Sequence, residues 1–119
     1  MVKQLECKDI NEYLKTDTKK VILDVRTQEE WDQFGKPDGE KLGLKTYFLT
    51  IQDENFLDDF KKLSINQDYE ILSMCKSGQR SQFVAELLEK ENYKSINISD
   101  GFEGNDPNNG WKNSGLPIC

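Results

Sequence analysis

Cys75-Lys76-Ser77-Gly78-Gln79-Arg80-Ser81 lies between two segments of opposite character. Before it, Glu70-Ile71-Leu72-Ser73-Met74 is short, largely apolar and ends at the cysteine, the pattern of a buried strand. After it, Phe83, Val84, Leu87 and Leu88 recur at helical spacing, with Glu86, Glu89, Lys90 and Glu91 on the opposite face. The cysteine therefore falls where a strand gives way to a helix. In an open α/β sheet that place, outside the carboxyl end of a strand, is where ligands bind.

The residue types in the turn point to its chemistry. A tight strand-to-helix turn aims consecutive backbone N–H groups at one point and makes a concavity for an anion. Gly78 supplies the positive φ that such a turn needs. Ser81 is the expected N-cap of the helix, whose dipole adds positive potential at the loop. Lys76 and Arg80 bring positive charge to a chain of net charge -6. These surroundings stabilise a thiolate, the nucleophilic form of cysteine. Cys75 is thus the candidate nucleophile, and Lys76, Ser77, Gly78, Gln79, Arg80 and Ser81 form the candidate binding loop for an anionic substrate.

Toward the amino end, Val21-Ile22-Leu23-Asp24-Val25 is apolar without alternation, as a strand covered on both faces is. Asp24 inside it needs partners, and is expected to hold a neighbouring loop or pair with an arginine rather than do chemistry. Thr27-Gln28-Glu29-Glu30 reads as a capping box, with Trp31 and Phe34 the buried face of the helix that follows. Earlier still, Gln4 to Lys8 predicts a short edge strand, Asp9 with Glu12 a second capping box, and Thr16 to Lys20 a turn. Ile10, Tyr13 and Leu14 give that first helix an apolar stripe.

Between the two central segments, Gly35 to Gly43 reads as loop and Leu42 to Leu49 as a strand. Asn55 to Leu63 reads as a helix built on Phe56, Leu57, Phe60 and Leu63. Its acidic neighbours Asp53, Glu54, Asp58 and Asp59 are expected to be a solvated face, not a metal site. Tyr93 to Ile98 predicts the last strand, Ser99 to Gly104 a turn and Asp106 to Asn109 a polar loop. Trp111 is either core or a lid over the site. Strands alternating with helices across 119 residues predict one α/β domain over residues 1–119, a parallel sheet flanked by helices on both faces.

A strand, Cys-x-x-x-x-Arg-Ser and a helix together resemble the active-site loop of the rhodanese family of thiosulfate and persulfide sulfurtransferases. Three more segments resemble that family in the same order and extend the likeness over nearly the whole chain. Asp24-Val25-Arg26 with Glu30-Trp31 is similar to its Asp-Val-Arg and Glu-Trp signature. Asn97-Ile98-Ser99-Asp100-Gly101-Phe102-Glu103-Gly104 is similar to the strand and turn after its active-site helix. Gly110-Trp111 through Gly115-Leu116-Pro117 is similar to its ending. The family often carries His-Ile-Pro-Gly-Ala where this chain has Gly35-Lys36-Pro37-Asp38-Gly39, so that loop is not expected to contribute to the substrate rim.

The resemblance implies transfer of sulfane sulfur from a small anionic donor, thiosulfate or a persulfide, to a thiol or cyanide acceptor, a protein thiol included. A persulfide on Cys75 would carry the sulfur, with no metal or organic cofactor, and Asp24 and Arg26 would be structural. A cysteine phosphatase or arsenate reductase, and a binding module without turnover, are the alternatives. Phosphatases of this kind usually place five residues between Cys and Arg and often a histidine before the Cys. Here there are four residues, and Met74 precedes Cys75. That difference favours sulfur, and the retained nucleophile speaks against an inert module.

Composition narrows the field further. A chain of this length buries roughly 65% of its unfolded surface, enough for a core without staples. The acidic excess argues against nucleic acid or an anionic membrane as partner. Cys7, Cys75 and Cys119 are odd in number and widely spaced, and there is no histidine. Neither a disulfide framework nor a zinc site is expected, and a cysteine hydrolase lacks its base. A reducing compartment fits. The stretch from Met1 to Cys7 has no apolar core of signal-peptide length, and no run reaches the length of a membrane span, so a cytoplasmic location is expected.

Overall fold

The computed structural model describes residues 2–105 and 108–119. Its strands are β1 (Lys3–Leu5), β2 (Lys20–Asp24), β3 (Lys45–Phe48), β4 (Glu70–Met74) and β5 (Lys94–Ile98). Its helices are α1 (Ile10–Tyr13), α2 (Gln28–Phe34), α3 (Phe56–Lys62) and α4 (Gln79–Lys90). All five strands run parallel in one sheet, in the order β1-β5-β4-β2-β3. β4 occupies the middle, with β2 and β5 as its neighbours, and its carboxyl end delivers Cys75.

Both faces of the sheet are covered. On one, Ile22, Leu72, Met74, Ile96 and Ile98 pack with Ile10, Phe102 and Trp111, joined by Tyr13, Leu14 and Phe34. On the other, Val21, Leu23, Ile71 and Cys75 pack with Phe56 and Phe60 of α3 and Val84 and Leu88 of α4. Residues of β2 are buried throughout, which is why its sequence shows no alternation. Trp111 is core, fully buried, its indole N–H donating to the Pro117 carbonyl at 2.7 Å.

Several boundaries differ from the sequence expectation. β1 stops at Leu5 because Cys7–Asp9 coils into a 3-10 turn that runs straight into α1. Asp9 is therefore already in helical backbone (φ -101, ψ -1), and its side chain makes no cap bond. A capping side chain works from extended backbone; Glu12 pairs instead with Lys15 at 3.1 Å. The Thr27–Glu30 box, with Thr27 extended, forms in both directions. β3 begins at Lys45 because Gly39–Leu42 forms a 3-10 turn inside the expected loop. In the expected polar loop at 106–109, Asp106 and Pro107 lie outside the described residues.

Candidate active site

β4 ends at Met74 and α4 begins at Gln79, so the turn proper is Cys75 to Gly78. Its carbonyls all have partners, and that of Gly78 also accepts from Gln82 N–H of α4 at 3.2 Å. Phe102 N–H donates to the Cys75 carbonyl (2.8 Å) and Glu103 N–H to that of Lys76 (3.0 Å). Asn105 Nδ2 donates to the Ser77 carbonyl (3.0 Å) and Asn97 Nδ2 to that of Gly78 (3.2 Å). In a trans peptide the N–H points opposite to the C=O. Each N–H from Lys76 to Gln79 therefore points away from the partner of the carbonyl before it. Gly78 N–H, at 3.2 Å, donates to Cys75 Sγ itself.

Two glycines make this arrangement possible. Gly78 has φ +105, and a Cβ on it would collide with the Ser99 carbonyl. A Cβ on Gly101 would lie 2.5 Å from the Lys76 carbonyl. The turn after β5 can therefore lie directly against the cysteine loop and supply its donors. Asp100 braces that turn from behind, accepting from Cys7 N–H and Gly110 N–H at 3.0 Å each.

Ser81 is not the N-cap of α4. Gly78 holds that position, and Ser81 sits in the first helical turn, fully buried. Its hydroxyl lies 3.4 Å from Cys75 Sγ and 2.6 Å from Asn97 Oδ1. The sulfur thus meets both the cap residue, through Gly78 N–H, and the first turn of the helix, through the Ser81 hydroxyl.

Arg80 also differs from expectation. Its guanidinium forms a two-pronged bond to Glu30, 2.7 Å to Oε1 and 2.8 Å to Oε2, joining the amino ends of α2 and α4. Those bonds above all hold the Glu30 carboxyl down at about 2, with burial acting in the opposite direction. The same bonds raise Arg80, and the nearby Cys75 adds to the effect. Arg80 is thus a cation already engaged, whereas Lys76 is exposed. Ser77 and Gln79 bond to each other, hydroxyl to side-chain carbonyl, at 2.6 Å.

Behind the loop, Asp24 and Arg26 are fully buried and paired at 2.8 Å, as the strand pattern required. Arg26 also donates to the Gly35 carbonyl (2.9 Å) and lies 4.2 Å from the Phe102 ring. Cys7 is buried, and burial first and then the Asp100 carboxylate push its thiol well up, away from reactivity. Cys119 is exposed at the chain end. Among the described residues no group of three or more His, Cys, Asp or Glu side chains is placed to hold a metal ion.

Of the expected loop residues, Gly78 and Ser81 meet Cys75 Sγ, Arg80 is bonded to Glu30, Ser77 to Gln79, and Lys76 is exposed. Sequence reasoning missed Asn97 and Glu30. Asn97 carried a signal, an amide between Ile96 and Ile98 in a buried strand, where it needs partners. Glu30 was accounted for by its capping box, so a second partner was not sought.

Fold and site define a class: a parallel α/β domain presenting a buried cysteine in an amide-lined turn at the carboxyl end of its central strand. The rhodanese-like domain family matches residues 7–105, and the chain belongs to that family. An uncharacterized protein of Rickettsia prowazekii is 45% identical over 100 residues, 81% of this chain and 80% of that one. A Bacillus subtilis protein named "putative sulfurtransferase YtwF" is 23% identical over 100 residues, 84% of this chain and 86% of that one. The crystal structure of Rv0390 from M. tuberculosis superposes with a TM-score of 0.82 at 27% identity, covering 99% of this chain and 97% of that one. No helix among the described residues is long and apolar enough to cross a membrane.

Proposed function

We propose that this chain is a sulfurtransferase in which Cys75 carries sulfur as a persulfide. The observation that supports it best is the Cys75 sulfur bonded by Gly78 N–H at 3.2 Å, in the turn between β4 and α4. The Cys75 thiolate attacks the outer sulfur of thiosulfate. A new S–S bond forms to Sγ, the old S–S bond breaks, and its electron pair leaves with sulfite. The amides of residues 76–79 hold the resulting Cys75-S-S⁻, as preorganised donors stabilise a localised anion. A thiolate or cyanide then takes the outer sulfur and returns the electron pair to Cys75, the double displacement of covalent catalysis. Lys76, exposed at the mouth of the loop, draws the anionic donor. The sulfurtransferase name borne by the Bacillus subtilis relative is consistent with this reading.

Mass spectrometry after incubation with thiosulfate tests the proposal: one sulfur atom is gained, on Cys75. Cys75→Ser removes both this gain and thiocyanate formation from cyanide, while Cys7→Ser and Cys119→Ser keep most of the activity. Thiocyanate made by Cys75→Ser at the wild-type rate overturns the assignment.

A further inference from the structure

Ser81 has one hydroxyl proton and two neighbours that can accept it. Both lie within hydrogen-bond reach, Asn97 Oδ1 at 2.6 Å and Cys75 Sγ at 3.4 Å, and the short contact to the amide oxygen is the stronger claim on the single proton. The orientation of the Asn97 amide is settled by its other end. Nδ2 faces the Gly78 carbonyl at 3.2 Å and Gln4 Oε1 at 2.9 Å, and a backbone carbonyl can only accept. Gln4 is held in turn by Gln82 at 2.6 Å, and Gln4 pairs with Asn97 in the register of β1 and β5. Asn97, itself 3% exposed, has no room to turn its oxygen elsewhere.

We propose that Asn97 is a positioning residue that withholds the Ser81 proton from Cys75. Ser81 O–H is within reach of both acceptors, Asn97 Oδ1 and Cys75 Sγ, and in this reading it is given to Asn97, so that Ser81 Oγ faces the sulfur without giving it a proton. When the sulfur becomes an anion, the amide of Gly78 serves it while Ser81 stays committed to Asn97. Ser81 therefore does not stabilise the thiolate, contrary to its expected place in the anion-binding loop, unless Asn97 releases it. Among the described residues, the charged groups on the elements around this sulfur are Lys76 in the loop, Arg80 of α4 with Glu30 of α2, the buried Asp24–Arg26 pair at the end of β2, and Asp100 and Glu103, with Lys112, in the turn after β5. None of them bonds to Ser81 or Asn97 among the described contacts.

The inference rests on Cys75 being the reactive thiol, and its test uses no sulfur donor, so persulfide formation remains a separate readout of the proposed function. Alkylation of Cys75 by iodoacetamide is followed against pH in wild type, Ser81→Ala, Asn97→Ala and the double variant, with melting curves as a check on folding. In the wild-type background Ser81→Ala leaves the alkylation midpoint unchanged or lowers it. In the Asn97→Ala background the freed hydroxyl turns to the sulfur, and Ser81→Ala now raises the midpoint by about one pH unit, the worth of one hydrogen bond to a charged atom. Taking the difference between backgrounds cancels the loss of the Gly78 anchor common to both. A midpoint raised by Ser81→Ala in wild type overturns the proposal on its own, even if Asn97→Ala fails to fold. Equal effects in the two backgrounds, or a Cys75 that shows no titrating alkylation, overturn it as well.

Discussion

Glu30 does two jobs with one carboxylate. Oε1 accepts from Thr27 N–H at 3.1 Å to close the cap of α2, and both oxygens accept from Arg80 across the mouth of the site. Because the carboxyl sits at about 2 in the fold, against an ordinary glutamate near 4.3, folding lowers its proton affinity. The unfolded chain then binds the proton more tightly, so Glu30 contributes stability that is whole above the ordinary value and is lost as pH falls through about 2. Glu30→Gln lowers the melting temperature at neutral pH and flattens its decline between about pH 4.5 and 2, read as the difference between the two melting curves. Parallel declines in that window contradict the assignment. Cys75 was legible because a strand, a glycine and a helix surround it locally. The Glu30–Arg80 bond was not, since its partners are 50 residues apart and each had a sufficient local explanation.

At the scale of elements, the same contrast separates the two capping boxes. Thr27 and Asp9 present similar patterns, but only Thr27 is preceded by a strand end that leaves its backbone extended. β2 shows the opposite case, where one polar residue in an apolar run predicted its own partner. Asp24 and Arg26, both fully buried, bind the end of β2 to the Gly35 carbonyl at the end of α2 and to Phe102 in the turn behind the cysteine loop. Asp24→Ala would strand the Arg26 guanidinium without its counter-charge. Breaking a buried pair in this way costs about 3–5 kcal/mol, which in a domain of this size lowers the melting temperature by roughly 10–20 °C. A melting temperature equal to wild type with sulfur transfer lost would place Asp24 in the chemistry instead.

For the molecule as a whole, the alternation of strands and helices announced a parallel sheet, but not the order β1-β5-β4-β2-β3. β2, β4 and β5 are largely buried, and burial alone does not say which neighbour each has; partner choice lies in registers such as Ile22 to Leu72 to Ile96 that join distant segments. That order sets β4 at the centre, so that the turn after β5 can close on the cysteine loop from one side and α2 from the other. The loop so enclosed is small. With α4 starting at Gln79, three residues, Lys76 to Gly78, separate the cysteine from the helix, and the Gly78 amide already reaches the sulfur at 3.2 Å. On the proposed reading such a loop is to take one added sulfur atom rather than a tetrahedral phosphate at attacking distance, and misplacement on the scale of 1 Å costs about a hundredfold in rate. Wild-type protein assayed side by side is expected to transfer sulfur from thiosulfate and to hydrolyse aryl phosphates negligibly. Insertion of one glycine after Gly78 widens the loop and weakens sulfur transfer, because the Gly78 N–H that reaches Sγ loses its register with the start of α4. Phosphate hydrolysis by the wild type with no persulfide formed would reverse the choice of sulfur over phosphorus, and with it the functional reading of the whole site.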